Sequence, residues 1–145
     1  MTHWKAGQTI TAAKLAVENT QAEDTTSRTS TNTLYVDASG GVFSAAVVVP
    51  ASGQVKVTLR STQRNSGATN TLTSWTAVGS TSGTVYSAND AAALVVGGTA
   101  NFSLSLTYRL TGLTVGETVT ATIKHRVGAG TGTYDYRYIL LEGCS

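Results

Sequence analysis

The sequence predicts an all-β protein, an antiparallel sandwich or barrel of eight or nine short strands behind a short helical or extended N-terminal arm. Three observations predict it. From residue 33 onward apolar and polar residues alternate with a period of two, the spacing of a strand with one buried face. Short turns rich in Gly, Asn and Ser interrupt that alternation. Hydroxyls also stand where charges usually do: Ser and Thr supply roughly a quarter of the 145 residues, whereas Asp, Glu, Lys and Arg supply 12%. Thr is β-branched and packs well on a pleated surface, so this composition suits sheets.

The pattern divides the chain into residues 1–31, an arm, and residues 32–145, a β domain. In the arm, TAAKLAVENTQAED (11–24) is expected to be a short helix, with Thr11 as its N-cap and Ala12, Ala13, Lys14, Leu15 and Ala16 as good helix formers. Its apolar residues are small and few, so it needs a partner to persist. The stretch TTSRTSTNT then reads as an extended connector.

The expected strands are TLYVD, GVFSAAVVVP, QVKVTLRST, TLTSWTAV, TVYS, AALVV, ANFSLSLTYRL, ETVTATIKHRV and TYDYRYILL. Pro50 ends the second of these, where its missing N–H does no harm. In ANFSLSLTYRL, Phe102, Leu104, Leu106, Tyr108 and Leu110 share one face against Ser103, Ser105, Thr107 and Arg109 on the other. In ETVTATIKHRV, Val119, Ala121, Ile123, His125 and Val127 share a face. The closing strand has two partly apolar faces, with Tyr134, Tyr136, Tyr138 and Leu140 on one and Asp135, Arg137, Ile139 and Leu141 on the other. A sandwich strand has one wet face, so its tyrosine stripe is either core or a subunit contact. The stripe, with Tyr108, is the candidate subunit interface.

Little here points to catalysis. The eight carboxylates are spread along the chain, and no pair is spaced for two-carboxylate chemistry. His125 lies on an apolar face, where a buried or interfacial histidine competes with a metal ligand. The Gly-rich run GAGTGT (128–133) joins two strands and reads as a hairpin loop, not a phosphate cradle. No cofactor is implied. The net charge is +2, with Lys and Arg scattered, so nucleic-acid binding has no footprint. No apolar run is long enough to span a membrane, and the first residues lack a signal peptide's apolar stretch, so synthesis in the cytoplasm is expected. Cys144, the lone cysteine, is either a free thiol or an intermolecular bridge. Trp75 shares its strand face with Thr71 and Thr73, where it either stacks on a sugar ring or packs. With Asn89 and Asp90 in the loop SANDAA, it forms a candidate glycan contact.

The opening WKAGQTITAAKL resembles a short N-terminal signature of phage virion proteins, with an aromatic, a Gly and a Thr-Ala-Ala-x-Leu helix start at Trp4, Gly7, Thr11, Ala12, Ala13 and Leu15; Ala16 departs from its usual Asn. The remainder, with ASGG, VVVPASGQVKVTL and YRLTGLTVGETVTATIKHRV, resembles the tumour-necrosis-factor-like jelly roll found on phage heads and tails. The resemblance implies a homotrimer on the virion surface, made in the host cytoplasm without a signal peptide. The arm would dock on capsid or tail proteins through Trp4, Gly7, Ile10 and Leu15, and the trimer would form around the closing-strand sheet. The implied role is capsid decoration or a short head fibre, or else a minor tail protein touching a host glycan.

Overall fold

The computed structural model describes residues 18–145, which form two antiparallel five-stranded sheets facing each other. The strands are β1 (Asn19–Asp24), β2 (Arg28–Ser30), β3 (Ser44–Val48), β4 (Val55–Asn65), β5 (Asn70–Gly79), β6 (Gly83–Tyr86), β7 (Leu94–Gly97), β8 (Phe102–Leu110), β9 (Thr118–Val127) and β10 (Gly132–Gly143). One sheet runs β1-β10-β4-β8, with β2 continuing β1 along β10, and the other runs β3-β9-β5-β6, with β7 beside β5. The pairing is nested. Among the described residues the first strand pairs with the last, β3 with β9, β4 with β8, and β5 with β6 and β7. The molecule is thus one long hairpin rolled on itself.

The period-two segments from residue 44 onward form strands on the expected faces in β8 and β9. Two expectations change. The helix over TAAKLAVENTQAED does not extend through its second half: Asn19–Asp24 is a strand antiparallel to β10, with Ala22 opposite Ile139 and Asp24 opposite Arg137. A few small apolar side chains give a helix little to bury, whereas the same residues satisfy the backbone of β10 and place Ala22 on the core. Residues 19–30 therefore belong to the sandwich; residues 11–17 of the expected helix lie outside the described residues. The segment TLYVD makes only one isolated bridge, Val36 to His125, beside β9.

The core has two halves. Toward one end Val55, Val57, Leu59, Trp75, Ala77, Val119, Ala121, Ile123, Ile139 and Leu141 pack as an aliphatic layer. Toward the other end the same inward faces turn polar, with Ser61, Gln63 and Asn65 on β4, Thr71 and Thr73 on β5, His125 on β9 and Arg137 on β10 all buried. Buried polar groups are usually bonded, and Arg137, His125, Thr73 and Gln63 form a directed chain, whereas Ser61 Oγ has no partner among the described residues. Arg137 donates to Asp24 and through Nη1 to His125 Nε2 at 3.4 Å. An arginine has no acceptor, so Nε2 accepts and the proton sits on Nδ1, which donates to Thr73 Oγ1 at 3.0 Å. The Thr73 hydroxyl donates to Gln63 Oε1 at 2.6 Å, and the Gln63 amide donates to the carbonyls of Thr71 and Leu94.

A second buried group ties turns together. The Glu117 carboxylate accepts from the backbone N–H of Ser82, Thr81 and Thr114 and from the Ser82 hydroxyl. These bonds, the Ser82 N–H foremost, hold its pKa below the ordinary carboxylate value. A Cβ on Gly79 would lie 2.4 Å from Glu117 Oε2, so glycine is needed there. Glu117→Ala is expected to lower the midpoint of urea unfolding without changing its slope, because it frees two turns but leaves the strands intact.

Candidate functional site

The closing strand carries the central surface, and a bulge decides which side chains it presents. The register between β10 and β4 shifts between Tyr134 and Tyr136. One extra residue at that point reverses the alternation beyond it. Tyr134 therefore points into the sandwich, while Tyr136, Tyr138 and Leu140 point outward and Arg137, Ile139 and Leu141 point inward. This corrects the expected four-residue stripe. Tyr134 is 0% exposed, its ring centroid is 3.8 Å from that of His125, and burial raises its phenol well above the usual value. It cannot touch another subunit.

The remaining outward patch is built across three strands. Arg60 of β4 stands opposite Tyr138, with its guanidinium carbon 5.8 and 6.0 Å from the ring centroids of Tyr136 and Tyr138. The Tyr138 hydroxyl donates to Gln21 Oε1 on β1 at 2.8 Å. Around this centre the face is polar. Lys56 and Glu142 form an ion pair at 2.6 Å, and Thr58 and Thr107 hydrogen-bond across the β4–β8 ladder at 3.1 Å. Two tyrosines and an arginine on a flat sheet, rimmed by satisfied polar pairs, match the anatomy of a protein contact surface. Tyr108 does not join this patch. It sits on the inward side of the edge strand β8, 5.0 Å from the Tyr86 ring and 5.7 Å from Trp75.

The residues expected to contact a glycan are otherwise engaged. Trp75 is 0% exposed and stacks on Tyr86 at 4.0 Å, which rules out direct sugar stacking. Its Thr-rich face is the inner face, because the polar half of the core lies there. Asn89 caps the 3-10 turn Asp90–Ala92, accepting from Ala92 N and donating to the Tyr86 hydroxyl and the Ser87 carbonyl. Asp90 accepts from Arg126 and, at 2.8 Å, from the Tyr35 hydroxyl; these bonds, Arg126 first, lower its pKa. The docking residues Trp4, Gly7, Ile10 and Leu15 lie outside the described residues.

Sequence reasoning missed a polar cluster at one end of the sandwich. Asp135, at the bulge, accepts from Ser27 Oγ at 2.7 Å, from Asn101 Nδ2 at 2.8 Å and from Arg64 Nη1 at 2.5 Å. Asn101 and Ser27 contribute most to lowering its pKa. The loops after β4, β7 and β9 gather at the same end, through Asn65 N–H to Gly98 O and Ser66 N–H to Thr131 O. Glu18 lies at the opposite end. Its carbonyl accepts from Gly143 N–H and its carboxylate from Val48 N–H. The described chain thus starts beside its own C-terminus, where Cys144 N–H bonds to the Gln54 carbonyl and its thiol is unpaired.

His125 is fully enclosed, so no substrate meets it, and burial followed by the charges of Arg137 and Lys124 pushes its pKa well below the usual value. No group of three His, Cys, Asp or Glu side chains able to hold a metal ion occurs among the described residues. No protein-family model matches the chain, and no curated protein does either.

Proposed function

We propose that this chain is a non-enzymatic structural protein of a bacteriophage virion, a homotrimeric surface module that decorates the capsid or forms a short head fibre. The observation that carries the reading is the Tyr136–Arg60–Tyr138 patch with Leu140 beside it, a ready contact face on an otherwise polar sheet. The nested strand pairing supports the jelly-roll reading. With β1 and β2 counted as one strand and β6 and β7 as one, each sheet has four strands, and every connection except β5–β6 crosses between sheets. The polarity of the subunit supports attachment. Residue 18 leaves at one end and the loop cluster with Asp135 sits at the other, so an arm on other virion proteins would leave those loops facing outward. Three arms held by one trimer would act as a single tight attachment through effective concentration.

The test is solution mass by light scattering, followed by labelling of whole particles. The full chain is expected to run at three times 14.9 kDa. Tyr136→Asp is expected to run as a monomer while its unfolding midpoint changes little, because Tyr136 points outward. A monomeric parent protein, or a trimeric Tyr136→Asp variant, would reject the interface.

A second reading, a minor tail protein or fibre tip that binds a host glycan, draws on the Asp135 cluster. A carboxylate, an amide, a hydroxyl and a guanidinium held together at a loop-rich end suit the hydroxyls of a sugar. Glycan-array binding lost on Asn101→Ala, with the label on the tail, would favour it.

A further inference from the structure

Beyond the trimer patch the sandwich leaves one long edge open. Among the described residues β8 pairs only with β4, and it ends its sheet. The other edges are blunted. The edge formed by β1 and β2 carries Glu23, Asp24 and Arg28 and breaks between the two strands; β3 spans five residues; β6 and β7 span four each. β8 runs nine residues, Phe102–Leu110, without a proline, a lysine or an acid, and Arg109 is its one charge. On its inward face Phe102 remains 52% and Tyr108 38% exposed, and Leu104 and Leu106 are only half buried. Such an edge is a template for another strand unless something is built to occupy it.

The sequence of β8 says what fits. FSLSLTYRL reads nearly alike in both directions about Leu106. We propose that β8 pairs antiparallel with β8 of a second copy across a two-fold axis at Leu106. In that register Leu106 meets its own counterpart, Leu104 meets Tyr108, and Phe102 meets Leu110, so the exposed apolar side chains cover each other. On the other face Ser105 meets Thr107 and Ser103 meets Arg109, so no like charges oppose. A two-fold axis normal to the sheet keeps inner face with inner face, and the two β1-β10-β4-β8 sheets become one continuous sheet. The contact uses a different surface from the Tyr136 patch, so it would join neighbouring trimers, and it does not depend on the trimer being correct.

Disulfide trapping in a Cys144→Ser background of the full chain tests it. Opposed residues in an antiparallel pair have Cα atoms about 4.5–5.5 Å apart, within disulfide reach. Leu106→Cys is expected to give a covalent dimer under mild oxidation, whereas Ser103→Cys, about 20 Å from its own counterpart in this register, is not. Because Leu106 contacts the core, a mixture of Ser105→Cys and Thr107→Cys chains, both substituted on the exposed face, provides the second measurement and is expected to cross-link across the pair. The links should persist when Tyr136→Asp is added. Equal trapping at positions 103 and 106, or none at 106 and none in the mixture, would overturn the proposal. So would a Leu106→Cys thiol that resists both oxidation and alkylation, since residues 1–17 of the same chain would then be covering the edge.

Discussion

Arg137→Met is expected to destabilise the subunit by about 3 kcal/mol, the cost of stranding one partner of a buried ion pair. Arg137 bonds to Asp24, lies over the Phe43 ring at 4.7 Å and, among the described residues, supplies the only donor to His125 Nε2. Its removal leaves Asp24 with Arg28 and the Thr26 N–H but without its buried cation, and His125 Nε2 without this donor. The double variant Asp24→Leu/Arg137→Met is expected to recover part of the loss, because the buried carboxylate is then removed as well and only the more exposed Arg28 loses its partner. Urea unfolding of both variants beside the parent measures this directly, and equal losses would show that the pair carries no coupling.

The second large effect is acid sensitivity. His125 is held neutral in the fold, chiefly by burial, with the Arg137 and Lys124 charges adding to it. In the unfolded chain a histidine takes up its proton near pH 6.5. Protons then bind the unfolded state preferentially, so stability is full above about pH 6.5 and declines as pH falls below it. The slope approaches about 1.4 kcal/mol per pH unit until the depressed folded pKa is reached. Asp24 adds to it at lower pH. Burial alone would raise its pKa, but hydrogen bonds from Arg137 and Arg28 outweigh that and hold it well below the usual carboxylate range. Its contribution is complete above about pH 4 and lost below. His125→Gln is expected to flatten the decline between pH 6.5 and 4.5 and leave the steeper one below pH 4. An unchanged slope in that variant would place the titrating group elsewhere.

Much of the architecture was legible in the chain, and the reasons are local. β8 and β9 alternate without interruption, so their faces follow from period alone. β10 also alternates in sequence, but the bulge between Tyr134 and Tyr136 is set by pairing with β4 and leaves no mark in the strand itself. That single residue moved Tyr134 into the core and turned Arg137 inward. Trp75 was left open between packing and a sugar contact for a related reason. A face of Thr71, Thr73 and Trp75 looks wet unless the interior opposite it is polar. A hint was present. On β4 the inward positions pass from Val55, Val57 and Leu59 to Ser61, Gln63 and Asn65. On β9 His125 interrupts an aliphatic face at the matching level. The strand at Asn19–Asp24 was hidden because its partner is β10, at the far end of the chain.

That pairing also governs when the protein can fold. β10 is central in its sheet, between β1 and β4, and it follows all the other described strands in the chain. While a ribosome still holds residues beyond β9, β1 lacks its partner, β4 lacks one of its two, and the aliphatic layer lacks Ile139 and Leu141. The nascent chain therefore cannot mature piece by piece from its N-terminus. It closes in one late event, dominated by contacts distant in sequence and correspondingly slow. Truncating the final ten residues would leave β1 without its partner and open the sheet between β1 and β4, while every strand of the other sheet is still present.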